Sequence, residues 1–317
     1  MSLARLVHPQ GTLGGDDPGD LVVLAPADAG WSWTGLRVIA LAPGASRTVA
    51  TGEAEVFVLP LAGALVVQVA PDGAPEEVEA VYELSGRASV FSQVTDFAYA
   101  GRDSVLILTS DAGAEVALPS AVCAARRPPA YVPAKDVQVE VRGAGPATRQ
   151  VTGFGVPGAF DQAEKLVACE LLTPPGNWSS YPPHKHDATA PCPVVNEEIY
   201  YYRIAGPDQL TPSDQGFGLH RTYTGPEHEK ASLDPIDLDV EVRDGDVVLV
   251  PHGYHGPCVA APGYPMYYLN VLAGPGSERS MAFCDDPDHA WLRSTWDGAP
   301  PDPRVPMTSA DGPVRRS

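Results

Sequence analysis

The chain has 317 residues, of which 31 are glycine, 34 are proline and 44% are hydrophobic, and this is enough to build the core of one large or two ordinary domains. Its net charge of −19 argues against nucleic-acid binding, which needs a basic surface, and against anionic membrane surfaces. Valine-rich runs punctuated by Gly and Pro, with little helical periodicity, predict an all-β protein. The longest apolar runs have the length of strands, so none predicts a membrane span.

The first residues and the cysteines both favour a cytoplasmic protein. The segment 1–5 lacks a basic region followed by an apolar run, so we expect no secretion signal. The five cysteines are an odd number and form no Cys-x-x-Cys motif, which favours reduced thiols.

An internal repeat predicts two similar domains. The segment 55–63 aligns without gaps with 198–206, and a glutamate, an aromatic residue and a closing Ala-Gly recur in both. Because the copies lie about one domain length apart, we expect duplicated antiparallel β-barrels of the jelly-roll type with few helices. The predicted division is an N-terminal domain (1–140), a C-terminal domain (141–297) and a Pro-rich tail (298–317) that we expect to be loose.

The histidines are concentrated in the C-terminal domain. His8 is the only histidine before His184, so the N-terminal domain is predicted to lack a metal site and to act as a wall of the pocket or an oligomer surface. His184 and His186 are spaced so that both imidazoles lie on one face of a strand, with Lys185 on the other. The preceding Pro182-Pro183 pair favours a stiff extended segment.

A second strand brings a carboxylate. Glu197 and Glu198 point to opposite faces, so either could be a ligand, and the internal repeat favours Glu198. Tyr200 and Tyr202 share its face and are predicted to line the pocket.

A Pro-x-Gly turn brings the last histidines. His252 lies within the turn and His255 follows it, and we choose His255 as the ligand. Three imidazoles and one carboxylate suit one divalent metal ion. We favour Zn²⁺ or Mn²⁺, with Fe²⁺ and Ni²⁺ left open.

Two further strands carry candidate substrate-binding groups. The strand 216–224 places His220 and Arg221 on opposite faces, and the strand 267–271 places Tyr268 and Asn270 on one face. Asn270 either binds a substrate hydroxyl or caps a strand end.

Several segments resemble the 5-deoxy-glucuronate isomerases of bacterial myo-inositol catabolism, a bicupin family related to 5-keto-4-deoxyuronate isomerase. The resemblance is dense between about residues 150 and 296, in the segments 176–187, 197–203, 216–224, 246–255 and 268–275. It implies that the metal ligands are His184, His186, Glu198 and His255.

The resemblance also implies a reaction. It is a metal-dependent aldose–ketose isomerisation of 5-deoxy-D-glucuronate to 2-deoxy-5-keto-D-gluconate, in which a divalent cation stabilises the enediolate. Tyr200, Tyr202 and His220 are candidates for moving the proton. The substrate carboxylate needs a guanidinium, for which we choose Arg221, with Arg203 as the alternative.

Other functions use a similar site. A 5-keto-4-deoxyuronate isomerase would act on another uronic acid, a cupin dioxygenase would consume oxygen, and a sugar-binding bicupin would catalyse nothing. The expected partner is a small-molecule sugar acid, with neither nucleic acid nor membrane, and a homo-oligomer is left open.

Overall fold

The regular structure is almost entirely β-strand, as seen in a computed structural model that describes residues 5–314. Strands of the first half are β1 (Val7–His8), β2 (Asp20–Leu24), β3 (Thr34–Leu41), β4 (Ala45–Ala50), β5 (Ala54–Pro71), β6 (Ala80–Arg87), β7 (Phe97–Ala100), β8 (Ser104–Ser110), β9 (Ala114–Val122) and β10 (Ala130–Val132). Those of the second half are β11 (Val139–Arg142), β12 (Arg149–Thr152), β13 (Val167–Thr173), β14 (Trp178–Ser179), β15 (His184–Lys185), β16 (Glu197–Ile204), β17 (Gly218–Tyr223), β18 (Asp237–Val242), β19 (Val247–Val250), β20 (Tyr254–Ala260), β21 (Met266–Ala273), β22 (Cys284–Asp285), β23 (Thr308–Ser309) and β24 (Gly312–Pro313). The prediction of an all-β fold is confirmed.

Helical segments are short. They include α1 (Pro226–Lys230) and the 3-10 segments Pro26–Ala29, Ala134–Asp136 and Ala290–Trp296. Within residues 5–314, no helix has the length and apolar character needed to cross a lipid bilayer.

The N-terminal domain is built around the long strand β5. Its first half pairs with β7 and β9, and its second half pairs with β6 and β8, so one strand contributes to both layers of the barrel. Apolar side chains that alternate along these strands, such as Val58, Val67 and Leu106, are fully buried between the layers. This burial supplies a core separate from that of the C-terminal domain.

Two sheets form the C-terminal domain. The larger one has the order β1-β19-β16-β21-β13-β12-β11, and the smaller has the order β18-β17-β20-β15-β22, with β14 paired to β20. In the larger sheet Tyr200 lies opposite Asn270, and Asn270 lies opposite Cys169, so these residues form one row across three strands. Because side chains alternate along each strand, residues two positions from a member of this row point to the same face of the sheet as that member.

The boundary between the domains is interleaved. β1 pairs with β19, with Val7 opposite Val248, so the beginning of the described chain belongs to the C-terminal sheet. The predicted boundary between residues 140 and 141 falls inside β11, which pairs along its length with β12.

The loop between β12 and β13 enters the N-terminal barrel. Phe154 and Phe160 from this loop pack on Phe57, with ring centroids 5.5 and 5.3 Å apart. Gly155 is required there, because a Cβ atom would lie 2.6 Å from the Phe57 ring. In the internal repeat Phe57 corresponds to Tyr200, so aromatic rings fill this part of the N-terminal barrel.

The same loop binds the glutamate that corresponds to Glu198. Glu55 is fully buried and accepts hydrogen bonds from the backbone amides of Glu164 (2.8 Å) and Leu166 (2.7 Å) and from the hydroxyl of Tyr99 (2.7 Å). A carboxylate with these donors is satisfied by the protein itself.

The outward face of β16 attaches the two domains to each other. The Glu197 carboxylate accepts hydrogen bonds from the backbone amides of Ser32 (2.8 Å), Trp33 (2.9 Å) and Thr34 (2.8 Å). Arg203 pairs with Glu115 of the N-terminal domain. These contacts give the adjacent glutamates different surroundings, because Glu197 is used in the domain interface and Glu198 faces the interior.

The Pro-rich tail is attached to both domains. The side-chain oxygen of buried Gln150 accepts hydrogen bonds from the backbone amides of Met307 (2.8 Å) and Thr308 (3.0 Å), and Val94 donates to the carbonyl of Ser309 (3.0 Å). The expectation that the tail is loose is therefore wrong for residues 298–314. Residues 315–317 of that prediction lie outside the described part of the chain.

Candidate metal centre

Three predicted ligands meet inside the C-terminal barrel. One donor atom from each of His186, Glu198 and His255 lies within 4.8 Å of the others, and all three side chains are buried. Nε2 of His186 lies 2.8 Å from Oε2 of Glu198, and Nε2 of His255 lies 3.0 Å from the same oxygen.

His184, the fourth predicted ligand, lies beside this group without joining it. It is directly opposite His255 in the β15–β20 pair, and the two rings have centroids 4.5 Å apart. The three-residue group of donor atoms does not include His184. The structure therefore assembles three of the predicted donors and places the fourth imidazole next to them.

Backbone carbonyls orient the three histidines of this site in the same manner. Nδ1 of His184, His186 and His255 lies near the carbonyl oxygens of Pro182 (3.1 Å), Asn196 (3.0 Å) and Gly253 (3.3 Å), respectively. An Nδ1–H that donates to a carbonyl leaves Nε2 as the free donor atom for a metal.

The Pro-x-Gly turn that carries His255 depends on its glycine. Gly253 has φ +94°, and a Cβ atom there would lie 2.7 Å from the carbonyl oxygen of Tyr223. Any larger residue would displace the turn and the carbonyl that orients His255.

The charges of the group match a divalent cation. Although burial opposes ionisation, the adjacent His255 and His186 hold the pKa of Glu198 well below its usual range. Burial lowers the pKa of His184 well below its usual range, and the pKa of His220 to about 3, so these two neighbouring imidazoles are neutral at pH 7. Within the group, although burial opposes it, the hydrogen bond with Glu198 raises the pKa of His186. Neutral imidazoles and an ionised carboxylate are the forms that bind Zn²⁺, Mn²⁺, Fe²⁺ and Ni²⁺.

One atom of the group lacks a partner. Nε2 of His255 is buried and makes no hydrogen bond within the described residues, despite its proximity to Glu198. A buried polar atom without a partner costs free energy, which a metal ion bound at this point would remove. The residues present therefore fit a divalent cation.

A cavity of about 380 Å³ opens onto the group. Its walls come from the inward faces of β11, β12, β13, β16 and β21 and from the segment 281–283 that covers His184. Polar and charged residues of the wall are Glu140, Arg142, Arg149, Ser180, His184, His186, Asn196, Glu198, Tyr200, Asn270 and Arg293.

The three predicted proton-transfer residues lie at different depths. Tyr200 lines the cavity, and its hydroxyl lies 2.9 Å from Oγ of Ser180. Tyr202 and His220 are buried behind it and do not line the cavity; the Tyr202 hydroxyl lies 2.6 Å from Nδ1 of His220. Only Tyr200 of these residues is placed to touch a molecule in the cavity.

The predicted substrate-binding residues are also divided. Asn270 lines the cavity, and its buried Nδ2 has no hydrogen-bond partner within residues 5–314. Tyr268 is fully buried below the wall, and its hydroxyl likewise lacks a partner there.

Arg221 is not at the cavity, which corrects its predicted role. Its guanidinium lies on the outer face of β17 and pairs with Asp239 at 2.9 Å. Alternation turns Arg221 outward because His220 points inward. Arg203, the alternative, pairs with Glu115 and Asp244 and does not line the cavity either.

Sequence reasoning missed a buried charge network behind the histidines. The ammonium of Lys185, fully buried, lies 3.6 Å from Asp187 and 3.3 Å from Glu227. Asp187 also lies 2.8 Å from Nε2 of His228. The nearby charges of Lys185 and Asp187 are a signal of this network in the sequence. His228, which pairs with Asp187, is remote in sequence and gives no such signal.

Comparisons with known proteins find relatives along most of the chain. The sequence model of the KduI/IolB family matches residues 9–292. The 5-deoxy-glucuronate isomerase of Geobacillus kaustophilus (strain HTA426) is 35% identical over 292 residues, which are 92% of this chain and 96% of that protein. The protein of the same name from Bacillus subtilis (strain 168) is 35% identical over 259 residues, covering 81% and 86%.

Solved structures also have folds similar to that of this chain. The crystal structure of an IolB-like protein from Salmonella typhimurium LT2 has 30% identity and a TM-score of 0.76, covering 91% of this chain and 99% of that one. An oxalate decarboxylase from Lactobacillus farciminis has a TM-score of 0.58 at 12% identity, covering 86% and 87%, and supports the fold alone. Because the family model spans most of the chain and the relatives named as isomerases cover nearly all of it, this chain is an isomerase that belongs to the KduI/IolB family.

Proposed function

We propose that the protein is a metal-dependent aldose–ketose isomerase that converts 5-deoxy-D-glucuronate to 2-deoxy-5-keto-D-gluconate. The observation that carries the proposal is the convergence of His186, Glu198 and His255 on one point at the wall of a sugar-sized cavity. The names of the relatives supply the substrate.

The residues around the cavity suit the steps of such a reaction. His186, Glu198 and His255, with His184 adjacent, would hold a divalent cation, which would supply Lewis-acid polarisation of the reacting carbonyl and hydroxyl groups. The hydroxyl of Tyr200, in contact with Ser180, is placed to hold a proton at the cavity wall. Nδ2 of Asn270 is a donor for a substrate hydroxyl, because it has no partner within residues 5–314.

The proposal is tested with purified protein stripped of metal by a chelator. Zn²⁺, Mn²⁺, Fe²⁺ and Ni²⁺ are restored singly, and conversion of 5-deoxy-D-glucuronate is followed by NMR with oxygen uptake recorded in parallel. We expect conversion only after metal is restored, without oxygen consumption. Conversion by the stripped protein would refute metal dependence, and preferential turnover of 5-keto-4-deoxyuronate would assign the other substrate.

A further inference from the structure

Three arginines line the end of the cavity formed by β11 and β12, in a chain of net charge −19. Arg142, Arg149 and Arg293 all line it. Arg142 lies opposite Arg149 in the β11–β12 pair, so both side chains emerge on the inner face of the sheet.

Two of these arginines already have carboxylate partners. Arg142 lies 2.8 Å from Glu140, and Arg293 lies 2.6 Å from Asp285. Both therefore contribute little net charge to the cavity.

Arg149 differs from its neighbours. It is 7% exposed, and no carboxylate pairs with it within the part of the chain that the structure describes. Its Nη1 donates to the carbonyl of Ala147 (3.2 Å), and its guanidinium lies 5.7 Å from the ring of Trp296. Its Nε is buried, with no hydrogen-bond partner among residues 5–314.

A buried guanidinium without an anion is costly. Removing an ion from water carries a penalty that only a close counter-charge offsets, and the burial of Arg149 lowers its pKa to about 10. Arg149 nevertheless keeps its charge at pH 7. A planar guanidinium with free donors on a cavity wall is suited to bind a carboxylate through two parallel hydrogen bonds.

We infer that Arg149 is the binding site for the carboxylate of the substrate, which meets the guanidinium at its Nη2 end, with Trp296 packed against the group. β12 lies three strands from β16 in the sheet order, so the anion site and Glu198 are at separate parts of one cavity. A sugar acid would then bind with its carboxylate at Arg149 and its aldehyde end at the histidines. This inference rests on the proposed function for the identity of the acid.

The kinetic test compares an acid with its neutral counterpart. Wild type, Arg149→Lys and Arg149→Met are assayed with 5-deoxy-D-glucuronate and with 5-deoxy-D-glucose, which has a hydroxymethyl group in place of the carboxylate. We expect Arg149→Met to lower kcat/KM for the acid by about 100-fold, mainly through KM, and to leave the neutral sugar unaffected. Arg149→Lys should recover part of the loss, and the outward-facing Arg221→Gln should match wild type.

A binding test needs no turnover. Titration calorimetry of the metal-free protein with D-gluconate, a six-carbon acid without an aldehyde or ketone group, should show binding that Arg149→Met weakens by at least about 10-fold. The melting temperature of Arg149→Met should equal or exceed that of wild type, because an unpaired buried charge is removed. A purely structural arginine would give the opposite pattern, a lower melting temperature with unchanged gluconate affinity.

The outcomes separate the two proposals. If wild type isomerises 5-deoxy-D-glucuronate and Arg149→Met keeps its KM, the anion site is wrong and the proposed function stands. If wild type binds D-gluconate through Arg149 but does not isomerise the acid, the anion site stands and the proposed function fails. Absence of D-gluconate binding to wild type would count against the anion site.

Discussion

The carboxylate of Asp187 accepts a hydrogen bond of 2.9 Å from the backbone amide of Gly253, and so connects the His184–His186 segment to the turn that carries His255. The carbonyl of the same glycine accepts from Nδ1 of His255. Asp187 is therefore a positioning residue for a ligand that lies on another strand.

The first prediction concerns this connection. Asp187→Asn should weaken metal affinity by about 10- to 100-fold, the usual effect of losing a partner that orients a ligand. Metal affinity is measured by competition with a chromophoric chelator. Asp239→Asn, which removes an exposed carboxylate on the outer face of β17, is the matched control and should bind metal as wild type does. Equal affinity in both variants would contradict the positioning role.

The second prediction uses two adjacent glutamates. Glu198→Gln should lose metal retention and isomerisation while the fold persists, because the ionised ligand is removed. Glu197→Gln should retain metal but lose about 1–3 kcal/mol of unfolding free energy, since three backbone donors lose a charged acceptor. Metal analysis and urea unfolding of both variants provide the comparison, and the same loss of metal in both would contradict it.

Strand alternation accounts for what sequence could predict about the site. It places Glu198, Tyr200 and Asn270 on one inner face, and all three line the cavity. Tyr202 and Tyr268 follow the same alternation but lie deeper, where the opposite sheet covers them. Alternation predicts the face of the sheet on which a side chain lies. How deeply that side chain is buried depends on how the two sheets approach each other.

The incorrect prediction for Arg221 and the failure to predict Arg149 have a related cause. Arg221 is predicted because a guanidinium can form a bidentate pair with the substrate carboxylate, but the sequence does not show which face of its strand turns toward the cavity. Arg149 lies on a strand of four residues, too short to show a pattern, and joins the site only through the order of strands in the sheet. Such long-range pairing could not be deduced from the local sequence.

The third prediction addresses the N-terminal domain. Glu55→Gln should lower the unfolding free energy by about 3 kcal/mol, because the buried amides of Glu164 and Leu166 lose an ionised acceptor. Metal retention should stay the same, since the group of His186, Glu198 and His255 lies in the other barrel. Glu53→Gln, whose side chain is 80% exposed, is the control and should change stability by less than about 0.5 kcal/mol. Loss of metal from Glu55→Gln would show that the two barrels are coupled.

The last prediction concerns the Pro-rich tail, whose composition suggests a loose segment although buried side chains bind its backbone. Thr148 accepts from one amide of the tail and Gln150 accepts from two. Gln150 accepts from two backbone amides of the tail and donates to the hydroxyl of Thr308 at 2.9 Å. Gln150→Leu leaves those amides without an acceptor, so we expect the tail to detach and unfolding free energy to fall by about 2 kcal/mol or more. Limited proteolysis read by mass spectrometry should then show cleavage within residues 298–314 that wild type resists. Gln215→Leu, at an exposed position, is the control. If Gln150→Leu resists the protease as well as this control does, other contacts are sufficient to hold the tail, and the role given to Gln150 is wrong.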